Sequence, residues 1–344
     1  MRATTTGGGA VEVTRLALGC AAMGNLYRPV TEETAHATVD AAWDAGIRTF
    51  DTAPHYGLGL SERRLGAALR GRPRDTYTVS TKVGRLLVPN QPGNGDDHGD
   101  DLANGFAVPA THHRVWDFSA DGVLRSLEAS LDRLGLDRVD IVLLHDPDDH
   151  AEQALREAYP ALERLRAEGV VGAIGVGMNR SALPARFLRE TDIDVVLLAG
   201  RYTLLDQDGL AELLPEAAAR GRSVIIGGVF NSGLLTGPRP GATYDYAPAP
   251  QPVLDRALRL LKVTERHGVP LRAAALRFPF GHPAVVSVLT GARSPEEVRD
   301  TVEQLSRPVP DALWDEMRAE ALLAEDTPVP VAVPSSKWSP PPAT

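Results

Sequence analysis

The chain of 344 residues is 43% hydrophobic and 24% charged, the profile of a packed globular protein and not of a disordered or fibrous one. A formal charge of -9 argues against a nucleic-acid-binding surface, so any anionic ligand must be held by a local pocket. The single cysteine, Cys20, rules out an intramolecular disulfide and a cysteine-based metal cluster, and suits a reducing, cytoplasmic setting.

The N-terminal MRATTTGGGA lacks the apolar centre of a signal peptide, and no run of eighteen apolar residues follows, so neither secretion nor a membrane span is expected. Eight short apolar or β-branched runs then succeed one another: TRLALG, GIRTF, TYTVST, DRVDIVLL, VVGAIGVG, DIDVVLLAG, RSVIIGG and AVVSVLT. Helical patterns separate most of them. After the first run, TEETAHATVDAAWDAG offers Thr31 as N-cap, Glu32 and Glu33 in the first turn, and Gly46 as the stop.

The third run is followed, between about Arg85 and Asp117, by VPNQPGNGDDHGDDLANGF and ATHHRVWD. This Gly-, Asp-, Asn- and His-rich stretch predicts a long loop, of the kind that serves as a lid. Its His98, His112 and His113 match no strong ligand spacing, so no metal is expected. ADGVLRSLEASLDRLG then places Leu124, Leu127, Leu131 and Leu134 on one helical stripe ending at Gly135. Pro160 and Pro215 divide later helices or mark their first turns. PVLDRALRLLKVTERHG repeats the stripe with Leu254, Leu258 and Leu261 before Gly268. Residues 1–326 read as one domain, and 327–344, TPVPVAVPSSKWSPPPAT, as a proline-rich extended or mobile tail.

Alternating strands and helices fit either a doubly wound sheet or a closed barrel. A dinucleotide-binding sheet needs G-x-G-x-x-G after its first strand, where this chain has GCAAMGNLYRP; GVGMNR at 175–180 is only a partial match. Eight strand candidates in series predict an α/β fold of the (β/α)8 TIM-barrel type. In such a barrel all strand C-termini open on one face. Asp51, Lys82 and His145, each following or closing a predicted strand, therefore converge there, with Tyr56 on the loop beyond Asp51. Ser61 or Glu62 is expected to start the helix that fixes that loop.

The constellation has a definite chemistry. A phenol with a reference pKa of about 10 exchanges protons poorly near neutrality, but an adjacent ammonium favours its phenolate. Lys82 supplies that charge to Tyr56, Asp51 holds the ammonium, and His145 orients a substrate oxygen.

DTAPHYGLGLSERRLG, STKVG and DIVLLHDPD, in that order, resemble the active-site motifs of aldo-keto reductases, barrel enzymes that use a nicotinamide cofactor. The resemblance runs from about Val13 to Leu323 and implies that Asp51, Tyr56, Lys82 and His145 form the catalytic tetrad. WDFSADGVLRSLEASLDRLGLDRVDIVLLHDPDDH, IGVGMN, LLAGRYTLLDQ and GGVFNSGLL are similar to the aldose 1-dehydrogenase branch, of D-threo-aldose and L-fucose type. That branch implies oxidation of a sugar's anomeric carbon to a lactone, with Tyr56 as general base.

For the cofactor, the resemblance implies Asn179 on the nicotinamide carboxamide and Asn231, Ser232, Gly233 and Leu234 around the pyrophosphate. Phe230 stands in for an aromatic that relatives carry where this chain has Gly227 and Gly228. The adenosine end falls on SVLTGARSPEEVRDTV, at Gly291, Ala292, Arg293, Ser294 and Glu297. Ser294, Pro295 and Glu297 also read as a capping box at a helix start whose N–H groups remain for an anion. Glu297 would repel a 2'-phosphate and accept from a free ribose hydroxyl, which favours NAD, while Arg293 keeps NADP possible. The expected partner is a small molecule, a sugar or other carbonyl or hemiacetal compound, and neither nucleic acid nor membrane. The alternatives are an NADPH-dependent aldehyde or ketone reductase with Tyr56 as acid, and a non-catalytic nicotinamide-binding redox sensor.

Overall fold

A computed structural model describes residues 3–5, 11–90, 99–245 and 247–331. Each of the eight runs holds most of a strand, and five strands extend one or two residues beyond their run: β1 Leu16–Gly19, β2 Thr49–Asp51, β3 Thr78–Val83, β4 Ile141–His145, β5 Ala173–Met178, β6 Val195–Ala199, β7 Ser223–Gly227 and β8 Val285–Gly291. They pair in parallel in sequence order, and β8 returns to β1 through Val288↔Leu16 to Gly291↔Gly19, closing a (β/α)8 barrel.

The runs are apolar throughout because both strand faces are covered. Val142, Leu144, Ile174, Val176, Val196, Leu198, Val224 and Ile226 pack under the helices. Their neighbours Ile141, Leu143, Ala173, Val195, Leu197 and Ile225 fill the interior with Val11 and Val13. Strand alternation extends this pattern to the C-terminal mouth. Phe50, Val83 and Leu144 face the helices, so Asp51, Lys82 and His145 turn inward from three successive strands.

Thr31 caps the Glu32–Asp44 helix by accepting from Thr34 N, and Gly46 leaves it at φ 81°. Gly135, at φ 63°, ends the Ala120–Leu134 helix as expected. The buried face of that helix is displaced from the predicted leucine stripe, however. Val123, Ser126, Leu127, Ser130 and Leu134 are buried, whereas Leu124 is 39% exposed. Rotation of about 100° per residue puts Leu124 on the flank once Val123 points inward. In the Gln251–Arg266 helix, likewise, Leu254, Ala257, Leu260 and Val263 are buried and Leu258 and Leu261 are half-buried. Pro160 opens Tyr159–Ala167 just after a π-helical turn, and Pro215 lies in the first turn of Leu213–Ala219.

The stretch between Arg85 and Asp117 is more ordered than a long loop. Arg85–Pro89 pairs antiparallel with His112–Trp116, and Asp100–Asp101 with Phe106–Pro109. Gly/Asp-rich composition hid these short strands because their residues are half-exposed and carry no apolar alternation. His98 lies outside the described residues, as do 332–344 of the tail. Thr327–Val331 rests on the body: Arg318 donates to Thr327 O at 3.0 Å, and Val329 packs against the core.

Gly175 and Gly177, the partial match to a phosphate loop, are instead buried barrel residues. A Cβ on Gly175 would stand 1.7 Å from Val195 O on the neighbouring strand. Gly175→Ala should therefore lower stability by about 1–3 kcal/mol or more, as overpacking does, which a denaturant titration will show as an earlier midpoint with an unchanged slope.

Candidate active site

Lys82 Nζ donates to Asp51 Oδ2 at 2.6 Å and to Thr52 O at 2.9 Å, while Ser80 Oγ donates to Asp51 Oδ1 at 2.7 Å. Lys82 is 2% and Asp51 3% exposed, so this is an ion pair shielded from water. Burial opposes the ammonium, but the charges of Asp51 and Tyr56 outweigh it and the Lys82 pKa is raised. Lys82 is therefore a permanent cation, with Nζ 4.7 Å from the centre of the Tyr56 ring.

Tyr56 is placed by a loop with little freedom. Gly57, Leu58 and Gly59 all have positive φ, and a Cβ on Gly57 would meet Gly24 O at 2.2 Å. Gly59, and not Ser61 or Glu62, caps the Leu60–Leu69 helix. Ser61 instead ties the loop down, donating to Cys20 O at 2.7 Å and lying 2.8 Å from Thr52 Oγ1. Glu62 is buried against Arg133 Nε at 2.5 Å and Thr81 Oγ1 at 2.8 Å, too far into the body to be a helix cap.

His145 completes the set, its ring perpendicular to that of Tyr56 at 5.9 Å between centres. Burial, then Arg85 and Lys82, hold its pKa well below the usual histidine range, so the imidazole is neutral. Its Nδ1 is buried without a hydrogen-bond partner. The next residue, Asp146, adopts φ 44° and pairs with Arg85, which in turn covers the Trp116 ring at 4.3 Å. The structure thus brings all four tetrad candidates together.

A cleft of about 450 Å³ opens beside them, with Arg85, Trp116, Asp146, His150, Asn179 and Arg201 on its wall. Tyr56, Lys82 and His145 are not themselves on that wall; Asp146 and Arg85 connect it to them. The candidate cofactor residues follow β5, β7 and β8 on the same face. Asn179 is exposed in the cleft. Asn231, Ser232 and Gly233 form a left-handed run at φ 47°, 55° and 91°. Asn231 Nδ2 donates to Gly200 O at 3.3 Å, and its buried Oδ1 has no partner. Gly228, at φ 64°, is exposed beside Gly200, where even a Cβ would approach Gly200 N to 3.0 Å. An orphan acceptor next to side-chain-free backbone fits a flat polar ring. Phe230 and Leu234, by contrast, pack against the core.

Gly291, the last residue of β8, is exposed, and Ala292 after it is buried. Arg293 Nη1 donates to Leu26 O at 2.8 Å. Ser294 caps the Pro295–Ser306 helix, accepting from Glu297 N at 3.4 Å, while Glu297 Oε2 accepts from Arg293 N at 2.8 Å. The capping box is present with its return bond shifted one residue outward. Two N–H groups expected to await an anion are therefore already taken.

Sequence reading missed three residues here. Arg114 Nε donates to His55 Nδ1 at 2.5 Å, Nη2 donates to His55 O at 2.9 Å, and both terminal nitrogens hold the buried Asp101 carboxylate at 2.7 and 2.6 Å. The sequence separation of 59 between His55 and Arg114 leaves no local signal for this contact. Among the described residues no group of three or more His, Cys, Asp or Glu is arranged to hold a metal ion.

A buried cation under a phenol, with a neutral imidazole beside it at the C-terminal mouth of a parallel barrel, defines a barrel enzyme site suited to moving a proton at a substrate oxygen. The chain belongs to the aldo/keto reductase family, whose sequence model matches residues 15–320. It is 46% identical over 311 residues to D-threo-aldose 1-dehydrogenase of a Pseudomonas species, covering 90% of this chain and 94% of that one. It is 41% identical over 326 residues to pyridoxal 4-dehydrogenase of Microbacterium luteolum, covering 91% and 95%. Among solved structures, the holo form of aldo-keto reductase AKR11C1 from Bacillus halodurans superposes with a TM-score of 0.72 at 25% identity, covering 98% and 99%. No helix among the described residues is long and apolar enough to cross a membrane.

Burial, followed by Arg85, Arg114 and Lys82, lowers the His55 pKa to about 2, and His145 is lowered as well. The unfolded chain protonates both near pH 6.5 and the folded chain does not. Their contribution to stability is thus complete above about pH 6.5 and is lost as pH falls below it. Chemical denaturation between pH 7 and 5 should show this loss, approaching about 1.4 kcal/mol per pH unit for each histidine, and replacing both by Gln should remove it.

Proposed function

We propose that this oxidoreductase removes a hydride from the anomeric carbon of an aldose and releases the lactone. The observation that carries the reading is the Lys82 ammonium, fixed 2.6 Å from Asp51 and against the Tyr56 ring, with neutral His145 beside them. Held there, Lys82 favours the Tyr56 phenolate, which takes the proton of the substrate hydroxyl. Neutral His145 donates one N–H to the same oxygen and keeps it directed at Tyr56. A bound oxidised nicotinamide would supply the hydride acceptor that this oxidation requires. Asn179 and Asn231 would hold that ring, with Gly228 leaving room for it, and Ser232, Gly233 and Gly291 would lie along the pyrophosphate and adenosine.

The substrate class rests on the relatives. An aldose and pyridoxal share one feature, a carbon that is a cyclic hemiacetal in water. Dehydrogenation there yields a lactone, with the hydroxyl proton and the hydride as the only losses.

NAD is favoured over NADP by the first turn of the Pro295–Ser306 helix. Glu296 and Glu297 stand there, and Arg293, the cation just before the helix, gives one of its donors, Nη1, to Leu26 O. A 2'-phosphate would meet two carboxylates at a helix start where Glu297 N is already bonded to Ser294 Oγ.

The test is turnover of an aldose panel with each cofactor, together with Tyr56→Phe. The wild type should oxidise at least one aldose, more efficiently with NAD. Tyr56→Phe should lower kcat by about 10²–10⁴-fold with cofactor affinity unchanged. NADPH-linked carbonyl reduction without aldose oxidation would overturn the substrate assignment, and an active Tyr56→Phe the proton-transfer role.

A further inference from the structure

His55 precedes Tyr56 in the loop, and its ring centre lies 6.1 Å from that of Tyr56 and 5.7 Å from that of His145. Its environment fixes its tautomer. A guanidinium has donors only and does not deprotonate, so the Arg114 Nε bond at 2.5 Å requires a lone pair on His55 Nδ1. Arg114 is itself immobilised by Asp101, which is 4% exposed and also accepts from Asn104 at 2.8 Å. Phe106, 2% exposed, meets the imidazole edge to face at 5.2 Å. The protonation state agrees with this arrangement, since burial and the surrounding cations keep the ring neutral. A neutral imidazole with Nδ1 as acceptor carries its proton on Nε2. Among the described residues Nε2 has no hydrogen-bond partner, yet the residue remains partly open to solvent and the atom is not sealed off.

Arg114 and Asp101 therefore hold a donor of fixed tautomer beside Tyr56 and His145, and nothing among the described residues consumes it. We propose that His55 Nε2–H binds a second oxygen of the substrate, a hydroxyl one or two carbons from the reacting carbon, and thereby selects polyhydroxylated substrates over simple carbonyl compounds. His55 is a specificity-determining residue here and takes no part in proton transfer. Ring separations of about 6 Å suit this role: a hydrogen bond about 2.9 Å long from Nε2 reaches an oxygen neighbouring the one held by Tyr56 and His145. The inference deepens the aldose reading and rests on it for the identity of the substrate, though not for the existence of the donor.

Two substitutions separate the donor from its scaffold. His55→Asn places its amide near the Nδ1 position, keeping an acceptor for Arg114 while deleting the Nε2 donor; His55→Gln reaches the Nε2 position. Each is assayed with two substrate pairs that differ by one hydroxyl. The first is an aldose and its 2-deoxy counterpart, oxidised with NAD. The second is 2-hydroxypropanal and propanal, reduced with NADH. His55→Asn should lower kcat/KM by about 10- to 100-fold for the hydroxylated member and several-fold or less for the other, with cofactor Kd unchanged. His55→Gln should recover most of the preference. Equal losses for both members of a pair, or no loss for either, would overturn the proposal. Should only the carbonyl pair turn over in the wild type, the aldose reading fails while the role of His55 is still decided.

Discussion

An ammonium and a carboxylate, each under 5% exposed and 2.6 Å apart, stand at the mouth of the barrel on adjacent strands. Taking both charges out of water costs several kcal/mol per ion, and their attraction repays this only with good geometry and further hydrogen bonds. Thr52 O and Ser80 Oγ supply those bonds. Such a pair is a weak stabilising device, but it raises the Lys82 pKa and so favours the charged ammonium. Tyr56 lies against that charge, and the chemistry proposed for the site follows from the proximity.

The rest of the active face is arranged around this pair. Strands β2, β3 and β4, with the loop after β2, carry the groups proposed to hold or move a proton, and the ends of β5, β7 and β8 carry the polar atoms proposed to meet a nucleotide. The strand pair Arg85–Pro89 and His112–Trp116 borders the cleft that Asn179 also lines. Its first residue pairs with Asp146 and covers Trp116, and Trp116 stacks on His150 at 5.6 Å. From the same hairpin Arg114 fixes His55. Binding surface and catalytic groups are thus supported by one another, as a site needs if its geometry is to persist.

The strands were legible because each is covered on both faces, so its apolar run is unbroken. The convergence of Asp51, Lys82 and His145 followed from the rule that all strand C-termini share one face. Tyr56 was legible through its motif, although the loop that aims it depends on Gly24, which no local pattern connects to Gly57. Leu124 was misplaced because a helix with five candidate apolar positions fixes its rotation only against its neighbour. The antiparallel strands at Arg85–Pro89 and His112–Trp116 escaped because their pairing partner lies more than twenty residues away. For the same reason the Arg114–His55 contact left no trace. At Ser294 and Glu297 the cap was legible, but which N–H the carboxylate would take was a matter of geometry alone.

The central claim is that the buried Lys82–Asp51 pair sets the protonation of Tyr56. An ultraviolet difference titration of the phenol, with Tyr56→Phe as reference, measures this without substrate. The account predicts ionisation of Tyr56 below the ordinary phenol value of about 10, and a clear upward shift of that midpoint in Lys82→Met. An unchanged midpoint in folded Lys82→Met protein would contradict it.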